Sequence, residues 1–183
     1  MSLSSPRRVT PWAALGHRNF RLLFLGLLVS TLGSQITRAA SAWLIYDLTG
    51  SAIALGLAGL FAALPLIPMS LLGGALADAV ERRRLMLATQ MLALVTVAGL
   101  AALTATGLVA VWHLYVANVL ITIAGVLDRP ARQALVPSLV ASEHLLNAYT
   151  LLTTLGQVAG LAGPLLAGLL LATFGPATAF ALD

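Results

Sequence analysis

The sequence predicts an all-α membrane protein, a bundle of transmembrane helices with no large aqueous domain. Three observations carry that reading. Of the 183 residues, 60% are hydrophobic and only 9% charged, with a mean hydropathy of +0.98, whereas soluble domains carry about a quarter charged residues. Apolar runs such as Ile53 to Ala77 and Leu85 to Thr106 exceed the roughly 20 residues a helix needs to cross about 30 Å of hydrocarbon. All ten basic residues are arginines, and nine of them fall outside the apolar runs, in alternate connections only. The chain length gives room for five complete crossings and the start of a sixth, at about 22 to 28 residues each.

The arginine partition sets the topology. Arg7, Arg8, Arg18 and Arg21 precede the first span, Arg82, Arg83 and Arg84 join spans two and three, and Arg129 and Arg132 join spans four and five. The opposite connections, near Asp47 to Ser51, Gly107 to Val109 and Gly175-Pro176, carry no basic residue. Basic residues near helix ends resist translocation, so the pattern predicts a cytoplasmic N-terminus in the cytoplasmic (inner) membrane. The net charge of +4 therefore reflects topology. A nucleic-acid partner would need a clustered basic patch interleaved with aromatics, and none is seen. With no cysteine there is neither a disulfide framework nor a thiolate metal site. The sequence implies no cofactor and no metal.

Residues 1–19 read as a short basic leader, with Trp12 placed as an interfacial anchor; residues 20–183 are the bundle. In span one, about residues 22–46, Ser30, Ser34, Thr37, Arg38 and Ser41 fall on one face of a 3.6-residue period, with Gln35 beside it. A polar stripe is costly against lipid, so it is expected to face the bundle or a watery cavity. Gly50 breaks this helix and Ser51 caps the next. Span two, about 53–77, is apolar apart from Ser70, and Pro65 and Pro68 predict a bend. Span three, about 85–106, lacks a sustained polar face and reads as lipid-facing. Trp112, His113 and Tyr115 follow it as an interfacial cluster.

Span four, about 111–127, carries a second polar or small stripe in Tyr115, Asn118, Thr122 and Gly125. The charged segment from Asp128 to Pro137 reads as a connection, and Ser142 as the cap of span five. Span five, about 145–173, places Thr150, Thr153, Thr154 and Gln157 on one face. Gly156 and Gly160 form a GxxxG, a helix-packing signal, followed by Gly163 and a bend at Pro164. A sixth span starts at 177. On this reading no carboxylate lies inside spans one to five.

Gly74-Ala75-Leu76-Ala77-Asp78 followed by Arg82-Arg83 resembles the loop between helices two and three of the major facilitator superfamily, G-x-L-A-D-R-x-G-R-[RK]. Ala79 and Glu81 stand where that motif has arginine and glycine. Trp43 to Ser51, Asp128 to Leu135, and Gly163-Pro164 narrow the likeness to the branch that includes the enterobactin exporter and related proton-linked drug and secretion transporters. The resemblance covers about Leu15 to Asp183, the N-terminal half of a twelve-helix transporter. It implies 3+3 inverted repeats in which helices one and four line the central cavity.

The resemblance also implies roles. Gly74, Asp78, Arg82 and Arg83 would form a conformational latch, with the Asp78 carboxylate meeting a helix N-terminus of the other half. Asp128, Arg129 and Arg132 would be the equivalent loop of the second repeat. From their polar stripes, Ser34, Gln35, Arg38, Asn118, Thr122 and Gln157 are candidates for the cavity wall, Gln35, Asn118 and Gln157 being equally able to pair between helices; Gly156, Gly160, Gly163 and Pro164 are candidates for helix-five packing. Arg38, about seven residues or roughly 10 Å from the outer end of span one, would either snorkel outward or face inward to meet an anionic substrate or an acid of the other half. H-E-x-x-H, G-x-S-x-G and P-loop motifs are absent from the sequence, which disfavours an enzyme. The expected function is export of a small organic solute such as a drug or siderophore. Its expected partners are that solute, the lipid bilayer, and a C-terminal half or a second copy of the chain. The alternative is a non-transporting fragment or helix-packing partner.

Overall fold

The computed structural model describes residues 12–70 and 81–181. They are helical almost throughout. After a 3-10 turn at Ala13–Gly16 come α1 (Arg18–Thr49), α2 (Ala52–Ala63), α3 (Arg82–Ala105), α4 (Val111–Leu139), α5 (Leu145–Phe174) and α6 (Pro176–Ala181). Beyond α2, a turn at Leu64-Pro65 leads back into helix over residues 66–70, the break falling at the first of the two prolines. Five helical stretches are long and apolar enough to cross a membrane. The chain is a multi-pass membrane protein.

The connections follow from local chemistry. α1 ends where Gly50 takes a left-handed conformation (φ 61) and returns its N–H to the Tyr46 carbonyl at 2.7 Å. Ser51 then accepts the Ala54 N–H at 3.4 Å and starts α2. Gly107 and Gly175 make the corresponding positive-φ turns after α3 and α5. At the start of α4 the His113 ring accepts the Ala110 N–H at 2.9 Å, so this histidine serves as a helix cap. Ser142 does not cap α5: it opens a 3-10 turn, Ser142–His144, and His144 is the residue before the helix.

The largest difference from the sequence reading is α4. Its helix continues to Leu139 with Pro130 and Pro137 inside it, so the segment from Asp128 to Pro137 is not a loop. Two contacts explain the extension. Asp128 and Arg132, one turn apart, form an ion pair, which neutralises charges that would otherwise favour a solvated connection. Pro137 has no N–H to give the carbonyl four residues back, and that Gln133 carbonyl is taken by the Tyr149 hydroxyl of α5 at 3.3 Å. α1 likewise runs from Arg18 to Thr49, longer at both ends than expected. The leader therefore stops short of residue 18, and Phe20 is fully buried.

α1 packs along α5, α3 along α4, and α2 against α4, while the short α6 fits against α3, α5 and α1. Buried apolar residues form two clusters toward opposite ends of the bundle. One unites Ile36, Leu44, Leu100, Leu114 and Phe180; the other unites Ala14, Phe20, Val136 and Leu151. Polar groups lie between them, Ser30 and Ser34 along α1 and Asp128 and Arg132 along α4. The other face of many helices is apolar and exposed, as at Ile53, Leu161 and Leu165, which suits contact with lipid tails. α3 fits this only on one side: Leu94 and Val95 are exposed, but Leu85, Thr89, Val97 and Leu100 are buried.

Candidate functional site

The polar layer is built around Arg38. Because α1 continues to Thr49, Arg38 lies 11 residues from that end, about 16 Å along the helix rather than 10. It lines three adjoining cavities. The smallest, ≈ 80 Å³, lies among α1, α3 and α4 and brings Arg38 together with Ser30, Ser34, Thr89, Asp128 and Arg132. Asp128 is only 5% exposed. Its carboxylate pairs with Arg132 and lies 3.3 Å from the Thr89 hydroxyl, whose one proton is shared with the Met86 carbonyl at 2.9 Å. Buried charge is costly unless paired and hydrogen-bonded, and these two partners from α3 and α4 meet that requirement. A carboxylate thus does lie inside a span, contrary to the sequence expectation.

The two larger cavities, ≈ 720 and ≈ 470 Å³, share Arg38, Leu66 and Thr122. Their α4 wall is polar, with Asn118, Thr122, Arg129 and Gln133; the facing wall is largely apolar, with Leu55 and Ala58 of α2 and Leu66 and Ile67 of the helical stretch after it, where Ser70 is the polar exception. Tyr115 holds the two walls together at one end, donating to the Ala54 carbonyl at 3.1 Å and stacking on Phe61 with ring centroids 5.1 Å apart.

The structure divides the predicted wall residues. Ser34, Arg38, Asn118 and Thr122 line cavities. Thr37 and Ser41, from the same stripe of α1, are buried in helix packing. Gln35 lies against α5, where a Cβ on Gly160 would stand 3.3 Å from its amide nitrogen and a Cβ on Gly163 would overlap its own Cβ. Gln157 is exposed on α5 and is set apart from these cavities. Thr150 and Thr153 are also exposed, and each returns its hydroxyl to its own helix, to Leu146 at 2.8 Å and Tyr149 at 2.9 Å. A self-bonded threonine tolerates an apolar surround.

Helix-five packing also shifts. A Cβ at Gly156 would meet nothing within 4 Å, so the close approach uses Gly160 and Gly163 rather than the GxxxG pair. Of the latch residues, Gly74 and Asp78 lie outside the described residues, as does the side chain of Arg82. Arg83 is exposed, and Arg84 pairs with Glu81 at 2.9 Å on the surface. Among the described residues no group of three or more metal-ligating side chains occurs. Thr89, Gln133 and the apolar wall of α2 were missed in the sequence. Thr89 had a signal, a hydroxyl near one end of an otherwise apolar span.

Fold and cavities together define a multi-pass helical membrane protein with polar-walled cavities among its helices. The comparisons make it particular. Residues 9–183 match the family model for transmembrane secretion effectors, and the chain belongs to this family of the major facilitator superfamily. It is similar to the multidrug efflux pump Tap of Mycolicibacterium fortuitum, 27% identical over 162 residues that cover 84% of this chain and 39% of that protein. The chain thus spans about two fifths of the length of the curated relative it matches. No solved structure matches it.

Proposed function

We propose that the chain is the N-terminal half of an exporter that moves a small organic solute outward across the cytoplasmic membrane by alternating access. The family match over residues 9–183 carries this reading, and the likeness to the efflux pump Tap supports its direction. In this arrangement the N-terminus is cytoplasmic, a reading supported by the arginines before the first span and at residues 82–84. The wall formed by Arg38, Asn118 and Thr122 faces a second half, supplied by a C-terminal continuation or another copy. Asp78 acts as the latch toward that half, and transport is coupled to protons.

Efflux of a fluorescent substrate from cells tests the reading. The chain together with the sequence that completes a twelve-helix form lowers cellular dye, and dissipating the proton gradient abolishes the effect. Expressed alone, the chain leaves dye unchanged. A completed protein that extrudes nothing supports a non-transporting helix-packing partner instead, and extrusion by the short form alone assigns the second half to another copy.

A further inference from the structure

We propose that the wall shared by α1, α2 and α4 binds an amphiphilic anion, with an apolar body along α2 and a carboxylate, sulfonate or phosphate head between Arg38 and Arg129. This deepens the exporter reading by naming the charge class of its solute, and it rests on that reading for the solute's role as cargo.

The wall's charge is unbalanced among the described residues. Arg38 lies 11 residues from the end of α1 at Thr49, and Arg129 lies 10 residues from the end of α4 at Leu139. Those separations are about 16 and 15 Å along the helices. Both guanidiniums line the ≈ 720 Å³ cavity, and both residues are exposed to it rather than packed away. Among the described residues, no aspartate or glutamate lines that cavity or its ≈ 470 Å³ neighbour. Neither guanidinium makes an ion pair among the described residues. Asp128, which shares the small cavity with Arg38, is already engaged by Arg132 and Thr89. Among the described residues the wall therefore carries positive charge with no free acid beside it, and charge is costly next to an apolar surround. An anion relieves it, because guanidinium donors match carboxylate and phosphate oxygens in fork geometry. The facing wall of Leu55, Ala58, Leu66 and Ile67 offers apolar burial for the rest of the molecule. A cation placed there meets like charge, so the site selects against it.

Equilibrium binding to the chain in nanodiscs of zwitterionic lipid tests this, using 1-pyrenebutyrate and the ammonium analogue of the same body, with empty discs as the partition blank. Pyrenebutyrate binds saturably and the ammonium probe at least about tenfold more weakly. Arg38→Gln and Arg129→Gln each weaken the anion about tenfold or more, the scale of one charged hydrogen bond. Arg38→Lys recovers part of the loss, and Thr150→Ala changes nothing.

Discs doped with anionic lipid separate two sources of the same chemistry. Displacement of the probe assigns the site to a lipid headgroup, and its persistence assigns the site to a soluble amphiphile. Equal or tighter binding of the ammonium probe overturns the proposal, as does unchanged anion affinity in both glutamine variants. The charge preference is read on the unmodified chain, so it does not depend on a variant folding. Anion binding without export by the completed protein would sink the exporter reading alone; export of cations only would sink this inference alone.

Discussion

Gln35 of α1 sits in the space where Gly163 of α5 lacks a side chain: a Cβ built on Gly163 overlaps the Gln35 Cβ and stands 3.2 and 3.3 Å from its backbone carbonyl carbon and Cα. Backbone cannot yield as a flexible side chain can. Gly163→Ala therefore destabilises the protein by about 1–3 kcal/mol. Gly156→Ala, with open space at its Cβ, is neutral or stabilising by up to about 1 kcal/mol through helix propensity. Thermal unfolding in detergent separates them, and the reverse order would return the packing contact to the Gly156–Gly160 pair.

Asp128 joins α4 to α3 through Thr89 while pairing along its own helix with Arg132. Asp128→Ala leaves Arg132 without its partner inside the bundle and costs about 1–3 kcal/mol, a buried-pair loss discounted for the partial exposure of Arg132. Thr89→Val costs about 0.5–1.5 kcal/mol. The two losses are not additive, because the carboxylate shares both contacts; a double-mutant cycle with zero coupling contradicts the arrangement.

The Tyr149 hydroxyl and the carbonyl freed by Pro137 give a similar cycle. Tyr149→Phe costs about 0.5–1.5 kcal/mol with Pro137 in place. With Pro137→Ala the new N–H can serve the Gln133 carbonyl, and the effect of Tyr149→Phe shrinks. An undiminished effect shows that the hydroxyl is not answering that orphan group.

The topology has its own test. Because the chain has no cysteine, single substitutions report without background. In intact cells an impermeant maleimide labels Thr49→Cys, and labels Ser138→Cys only after permeabilisation. The opposite pattern inverts the proposed orientation.

What was legible in the sequence followed from hydropathy and turn chemistry. Five crossings, the Gly50-Ser51 turn and the separation of polar from apolar spans all depend on short-range signals. Asp128 and Arg132 were not legible as helix, since charged residues beside two prolines read as a connection. Only their pairing one turn apart, with Thr89 from a distant segment, makes burial affordable. Gly160 and Gly163 were both visible as small residues, but which of the glycines meets α1 depends on the rotation of α5 about its axis. Gln35 adjoins the polar stripe by sequence yet turns toward α5, the between-helix role that periodicity left open beside the cavity wall.

The central claim is that Arg38, Asn118 and Thr122 share a water-accessible wall inside the membrane. Its most direct test is the labelling rate of Asn118→Cys and Thr122→Cys in liposomes, by a small charged methanethiosulfonate, against Leu161→Cys on the exposed apolar face of α5. The account predicts that both α4 positions react at least about tenfold faster than position 161, because the reagent needs an ionised thiolate and hence water. Equal, slow labelling at all three would show that the wall faces lipid or is packed shut.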